Sequence, residues 1–591
     1  MRDALDRGPL ERVLQLSIAA LIVLTVLSQG SLVSWLDVAR KLRWAALFGF
    51  VAVALAYAYR RGGLRRLGFV HAAAAALIAL AAVSTAWSSF PKLTFERAAA
   101  LGILFAGCGA VAAGVTDSAA VRRIVDAILA GAAAVGVGGL LVLVFAHDRA
   151  VQPATSVLPA RYQGLGGGPN TAMMMLAVAL PLAVYALLEA RRGRPRAAAL
   201  AVTLLLLGSI VASGSRGAIA GAFGGLFVLG VAASTTWRQR ALAVAGVATL
   251  FVVAVAVTRI PDPNPTAAPL PSASEPPPTQ FHGPRATVPE AAPRLQDDIG
   301  RPPYGVGETA RKPRTLFGSS GRAQAWDGAL HLGLQRPLAG FGFGTEDRVF
   351  VDRYADFNSN VPENSYLGLF LQLGFAGLVA FVAFAGTALA AGAARLRSAR
   401  GAERHLTAAL AGALAAGLLL AGFQSYLYAV GNNATAAVWL AAFLLAAPLR
   451  LPRARRAFLA VGGVAFVLAA LVGIGILERA HRADDQSHAL RRAVAEIGPL
   501  DSPQLDQYRY FSPQMQCLLY RRGRDPFALE LCADTEGRVV ETIDRRSAPK
   551  PQIHSLRDDP SRSDVRVDRE EVTRLVHAMG VPLDWLPQER R

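Results

Sequence analysis

The chain has 591 residues, 53% of them hydrophobic and 17% charged, with a formal net charge of +19. Its apolar residues come in blocks long enough to cross a hydrocarbon core of roughly 30 Å, which excludes an ordinary soluble domain. The basic excess lies mostly in short connections between those blocks, where it orients a membrane protein, so nucleic acid is excluded as a partner.

In chain order the blocks predict about 13 spans: 13–31, 44–59, 67–87, 98–116, 124–146, 171–190, 197–213, 217–236, 240–258, 366–394, 405–423, 433–450 and 457–477. The run from Val13 reads as the first span, because no convincing small-residue cleavage site follows it. With the N-terminus inside, the arginine clusters Arg60 to Arg66, Arg191 to Arg196, Arg395 to Arg404 and Arg450 to Arg456 all face the cytoplasm. The odd span count then leaves the C-terminal tail outside. The expected fold is an all-α polytopic membrane protein, with nine helices over 1–258 and four over 366–477. A large extracytoplasmic loop occupies 259–365, and a small α+β extracytoplasmic tail domain occupies 478–591.

The loop divides by composition. Residues 259–315 carry a large share of the chain's 34 prolines and few large apolar side chains. Such a segment cannot bury enough surface to offset its ordering entropy and is expected to be disordered. Residues 316–365 are expected to form an ordered cap, with a helix-like run through Arg322, Trp326 and Leu330 followed by Gly340-Phe341-Gly342-Phe343-Gly344. In the tail, strands are expected at Met515 to Tyr520, Phe527 to Cys532 and Arg538 to Asp544. A hairpin centred between Arg524 and Asp525 places Cys517 opposite Cys532, and an oxidising outside compartment predicts a disulfide between them. Cys108 lies within a span and has no partner. Asp568 and Glu571 open a helix that ends at Gly580.

Phosphate-binding Gly-Lys loops, Cys-x-x-Cys pairs and His-Glu-x-x-His are absent, and no cofactor or metal is implied. What remains is a set of outside-facing polar residues at span ends: Arg97, Arg161, Asn170, Arg216, Arg322, Glu363, Asn364 and Tyr366. Arg216 is the sharpest of these. It sits between two apolar segments, where a charge costs up to about 2.5–3.5 kcal/mol at the bilayer centre, and needs a partner, a ligand or a route to lipid phosphates. Glu363 stands at the mouth of the tenth span, where it either acts chemically or caps the helix, a placement worth roughly 0.3–1 kcal/mol. Asn364 and Tyr366 also fit interfacial anchors.

This constellation resembles the O-antigen ligase and polysaccharide polymerase proteins, membrane glycosyltransferases acting outside the cytoplasmic membrane. The resemblance runs from about Trp87 to Trp439. It rests on Trp87-Ser88 to Arg97, Arg161 to Asn170, Ser215-Arg216-Gly217, Ser320-Gly321-Arg322 to Trp326, Gly340 to Gly344, and Asn364-Ser365-Tyr366-Leu367 with Leu373-Gly374 and Gly377. In the ligases a His commonly precedes the Asn-Ser-Tyr-Leu element, whereas Glu363 stands there in this chain. The resemblance implies transfer of a glycan from a polyprenyl-diphosphate carrier to an acceptor hydroxyl, on a glycan or lipid, with membrane lipids as surroundings. A diphosphate leaves readily once cations neutralise its charge. Arg216, Arg161 and Arg322 could do so without a metal, because arginine stays protonated. Glu363 could serve as the base, with Arg97, Asn170, Asn364 and Tyr366 binding substrate. Competing readings are a lipid-linked glycan flippase, which calls for charged or broken helices at the midplane, and a membrane-anchored scaffold built on the tail.

Overall fold

The computed structural model describes residues 8–30, 36–88, 90–152 and 160–257, parts of 322–349, residues 361–447, and the backbone of five short strands between 508 and 555. The Pro-rich segment 259–315, the span expected at 457–477 and the helix expected from Asp568 to Gly580 lie outside the described residues.

The long helices are α1 (Pro9–Leu27), α2 (Leu36–Arg60), α3 (Phe69–Val83), α4 (Pro91–Gly114) and α5 (Ser118–Phe145). After a short turn, α6 (His147–Ala150), come α7 (Thr171–Glu189), α8 (Arg194–Ala212), α9 (Arg216–Ala233) and α10 (Trp237–Val257). Beyond the loop lie a one-turn α11 (Glu346–Val349), then α12 (Ser365–Ser398), α13 (Gly401–Ala421) and α14 (Thr435–Ala446). Eleven helices among the described residues are long and apolar enough to cross a membrane. Their starts follow local chemistry. Proline stands in the first turn of α1, α4 and α8, where its missing N–H costs nothing. Asp117 caps α5 by accepting from the amide of Ala120 at 2.8 Å.

Helix association in lipid gains little from apolar burial and depends on close packing, so small residues line the contacts. A Cβ added at Gly225 of α9 would meet the Gly412 carbonyl of α13 at 2.7 Å and Pro181 of α7 at 2.9 Å. Two backbones therefore touch there, with the proline of a third helix wedged beside them. The span expected at 433–450 contains the 12-residue α14, which is buried on all sides. Trp439 of α14 packs 5.2 Å from both Phe105 of α4 and Phe384 of α12. Its indole N–H donates to the Leu427 carbonyl at 2.7 Å, so the buried ring leaves no polar atom unsatisfied.

The connections collect at two ends. At one, Glu11 meets Arg123 at 2.5 Å, Arg404 donates to the Ala233 carbonyl at 3.1 Å, and His405 meets Glu189 at 2.7 Å. The Arg-rich connections near residues 60, 192 and 400 belong to this end. At the other, Gln29 donates to Gly431 at 2.6 Å, Gly167 to Gln29 at 2.8 Å and Asn433 to Thr171 at 2.7 Å. Every outside-facing residue singled out from the sequence, among those described, lies at this second end.

The tail strands β3 (Tyr508–Ser512), β4 (Met515–Tyr520), β5 (Leu529–Asp534), β6 (Val539–Asp544) and β7 (Gln552–Ser555) form an antiparallel meander in that order. Cys517 stands opposite Cys532 in the β4–β5 register. Their side chains, and so the expected disulfide, lie outside what is described.

Candidate active site

The second end is built around a backbone pairing that the Gly run makes possible. Phe341 and Gly342 donate to the carbonyls of Leu371 and Gln372 in α12, each at 2.9 Å. Those carbonyls are free because α12 is broken at Gly374, whose φ is 61°. Phe375 and Ala376 beyond the break donate in turn to Pro337 and Leu338 at 2.7 and 3.2 Å. The kink thus exchanges helical hydrogen bonds for bonds to the cap. Gly340, Gly342 and Gly344 all have positive φ, of 64°, 105° and 75°. A side chain at Gly342 would collide with Ser88, and one at Gly344 with Arg97. We expect Gly342→Ala to lower thermal stability by the strain plus the overpacking, each about 1–3 kcal/mol, and to abolish activity. Unchanged melting of the detergent-solubilised variant would contradict this docking.

Three further contacts pin the cap. Trp87 donates its indole N–H to the Ala339 carbonyl at 3.0 Å, and the Ser84 hydroxyl accepts from Phe343 N at 2.9 Å. Arg97 forms a fork with Asp347, at 2.6 and 2.9 Å, and donates to the Gly344 carbonyl. The Arg97 side chain is 40% exposed, so the pair contributes under about 1 kcal/mol; its fixed geometry serves mainly to locate the cap.

Glu363 precedes α12 and has φ of 47°; it is the one non-glycine residue in the left-handed region among those described. A carboxylate side chain held in that backbone is strained by about 1–3 kcal/mol. The alternative that Glu363 caps the helix does not hold, because Asn364 does so: its side-chain oxygen accepts from Tyr366 N at 3.0 Å and Leu367 N at 3.2 Å. Relieved of capping, the Glu363 carboxylate turns to Arg322, with which it forms a short ion pair, and to Gln424, whose amide lies 3.4 Å away. Trp326 donates to the Pro362 carbonyl at 2.9 Å and holds the same approach.

Arg216 is the first residue of α9, behind its cap Ser215. The Ser215 hydroxyl donates to Asn170 at 2.7 Å, which joins the start of α9 to the start of α7. Arg161, on the two-residue strand β2 (Arg161–Tyr162) paired with β1 (Val151–Gln152), donates through Nε to the Ser213 carbonyl at 2.9 Å. Its Nη2 is buried with no hydrogen-bond partner. Burial first, then the positive charges of Arg216 and Arg322, pull the Arg161 pKa down to about 10, still protonated at neutral pH. Three guanidinium groups that feel one another in a half-buried place repel, so the arrangement suits an anion.

Sequence reasoning missed one part of this end. Glu346, next but one after Gly344, is only 5% exposed and sits among Gln372, Ser425 and Tyr428. The available signal was a carboxylate two residues past the Gly run, and a connection, Gln424 to Tyr428, that holds two polar residues followed by two tyrosines around a leucine. Of the expected binding residues, Tyr366 turns away and donates to the Leu418 carbonyl at 2.6 Å, and Asn364 and Asn170 are occupied as described. No group of three or more His, Cys, Asp or Glu side chains fit to hold a metal occurs among the described residues.

A many-helix fold with helices long and apolar enough to cross a membrane, and with three arginines and a strained carboxylate gathered at one end, defines a multi-pass membrane protein. Residues 201–382 match the family described as O-antigen ligase, a segment that contains Arg216, Arg322, Glu346, Glu363 and the kink of α12. The match supports an O-antigen ligase/polymerase family, and with the helical fold it supports a membrane glycan ligase or polymerase. No curated protein matches the chain.

Proposed function

We propose that the protein transfers or polymerises glycan from a polyprenyl-diphosphate carrier onto an acceptor hydroxyl at the outer face of the cytoplasmic membrane. The observation that carries this is the gathering of Arg161, Arg216 and Arg322 with Glu363, at the end of the bundle away from the Arg-rich connections. Those connections mark the cytoplasmic side by charge bias, which leaves the site outside and the N-terminus inside.

The arginines hold the diphosphate and neutralise the charge that grows as the bond from the anomeric carbon to the diphosphate oxygen breaks. Arg322 has a double use. In the free protein it pairs with Glu363; an arriving diphosphate competes for the same guanidinium and releases the carboxylate. Glu363 then accepts the proton of the acceptor hydroxyl as the new carbon–oxygen bond forms. The energy resides in the lipid-linked donor, so no nucleotide is consumed.

The test is reconstitution of the purified chain in liposomes with a lipid-diphosphate glycan donor and a glycan acceptor. New glycosidic bonds are expected, and Arg161→Lys, which keeps the charge but loses the fork, should raise the donor KM by about tenfold. Movement of donor across the bilayer without any new bond would refute the assignment.

A further inference from the structure

Glu346 plays no part in the chemistry above, yet its surroundings are unusually determined. Its Oε1 accepts from the Ser425 hydroxyl at 2.5 Å. Its Oε2 accepts from the side-chain amide of Gln372 at 3.0 Å. The orientation of that amide is fixed, because its oxygen accepts from the backbone N–H of Gly344 at 2.7 Å. Gly368 leaves the space: a side chain there would strike both Glu346 and the Tyr428 hydroxyl.

Tyr428 decides the protonation. Its hydroxyl lies 3.0 Å from Glu346 Oε2 and 3.0 Å from the Ser365 carbonyl oxygen. A hydroxyl has one proton, and the carbonyl can only accept. With Glu346 ionised, one of the two contacts is oxygen against oxygen with no hydrogen between them. With a proton on Oε2 both are satisfied: the acid donates to Tyr428, and Tyr428 donates to Ser365. Arg97, the cation whose charge reaches Glu346, is committed to Asp347.

The same short connection holds both glutamates. Ser425 accepts from Asn364 N at 3.1 Å while it donates to Glu346. Its neighbour Gln424 lies 3.4 Å from the Glu363 carboxylate and accepts from the Ser365 hydroxyl at 2.6 Å. We infer that Glu346 is a positioning residue for Glu363, a buried carboxylic acid whose proton joins the cap to the loop that seats the reactive carboxylate.

The titratable groups around it agree. Burial raises the Glu346 carboxyl to about 7 and Asp347 on the same turn adds to the rise, while the hydroxyls of Ser425 and Tyr428 and the charge of Arg97 from α4 oppose it. The Tyr428 hydroxyl is itself pushed well up by burial and by Glu346, so it remains a neutral partner. As pH rises through about 7 the proton leaves, Tyr428 turns its hydrogen to the carboxylate, its contact with the Ser365 carbonyl is left without one, and the Gln424-Ser425 seat loosens.

The consequence for catalysis rests on the transferase reading; the protonation does not, and the experiment separates them. Full-length protein in lipid, titrated under infrared difference spectroscopy, should show a protonated-carboxyl carbonyl band that is lost near neutral pH. Glu346→Gln should remove the band, and Tyr428→Phe should shift it upward by taking away the hydrogen-bond acceptor. In glycan transfer, wild-type kcat should fall about tenfold across the two pH units centred on 7, and Glu346→Gln should flatten that fall while leaving donor KM within about twofold. Absence of the band below neutral pH, its survival in Glu346→Gln, or superimposable pH profiles would overturn the inference. A wild-type protein that shows the band but forms no glycosidic bond would instead overturn the transferase reading and leave the buried acid standing.

Discussion

Arg216→Ala should lower kcat/KM for transfer from a lipid-diphosphate glycan by about 10- to 150-fold, the equivalent of one charge-assisted fork of roughly 1.5–3 kcal/mol. Arg216 opens α9, so its loss removes the side-chain charge but not the backbone N–H groups of the helix start, which still favour an anion. That is why the activity falls rather than vanishes. Arg216 adds to the positive field that depresses Arg161, and removing it relieves that repulsion. Equal or higher melting temperature with impaired transfer would mark a charge kept for function. Lower melting temperature with normal transfer would instead make Arg216 a lipid anchor, the reading left open by its place between two apolar segments. Arg216→Lys should recover part of the rate, since the charge returns without the planar fork.

Glu363→Gln should lower kcat by about 10²–10⁴-fold, the range expected when a positioned base is lost, with donor KM lowered rather than raised. Glu363→Gly provides the sharper comparison. The backbone at this position has φ of 47°, which glycine adopts without strain, so the variant should gain stability by about 1 kcal/mol while losing transfer equally. A glutamate retained at a conformational cost, where glycine is more stable, fits a residue selected for its carboxylate. Both variants also remove the partner of Arg322 and should tighten binding of a non-reactive diphosphate analogue, because the anion no longer competes with Glu363. If donor-analogue affinity were unchanged in both, the exchange of partners at Arg322 would be wrong, whatever the effect on rate.

The spans were legible because each is a continuous apolar block, and hydrocarbon forces such a block into a helix that satisfies its own backbone. From 366–394 in the sequence to Ser365–Ser398 in the structure, the ends moved by only a few residues. The cap was legible in position through its glycines, but not in form. Nothing local in Gln372-Leu373-Gly374 announces that α12 breaks there, since the break is stabilised by carbonyls of Pro337 and Leu338, about thirty-five residues away. Glu363 and Asn364 show the same limit at smaller scale. Adjacent polar residues at a helix start are equivalent as sequence, and the assignment of cap to one and free carboxylate to the other follows from a φ angle and from Ser425 and Gln424.

By itself, then, the sequence determined the membrane class, the helix order and which connections are rich in arginine. Each of these depends on local composition, which lipid converts directly into structure. Only the tertiary structure decided which polar residues act together. It set Arg161 beside Arg216 and Arg322, withdrew Arg97, Asn170 and Tyr366 into structural bonds, and enclosed Glu346 with a tyrosine eighty-two positions later. Such groupings arise from the meeting of helix ends distant in the chain, and their energies depend on burial and on shared protons, neither of which is a property of any one segment.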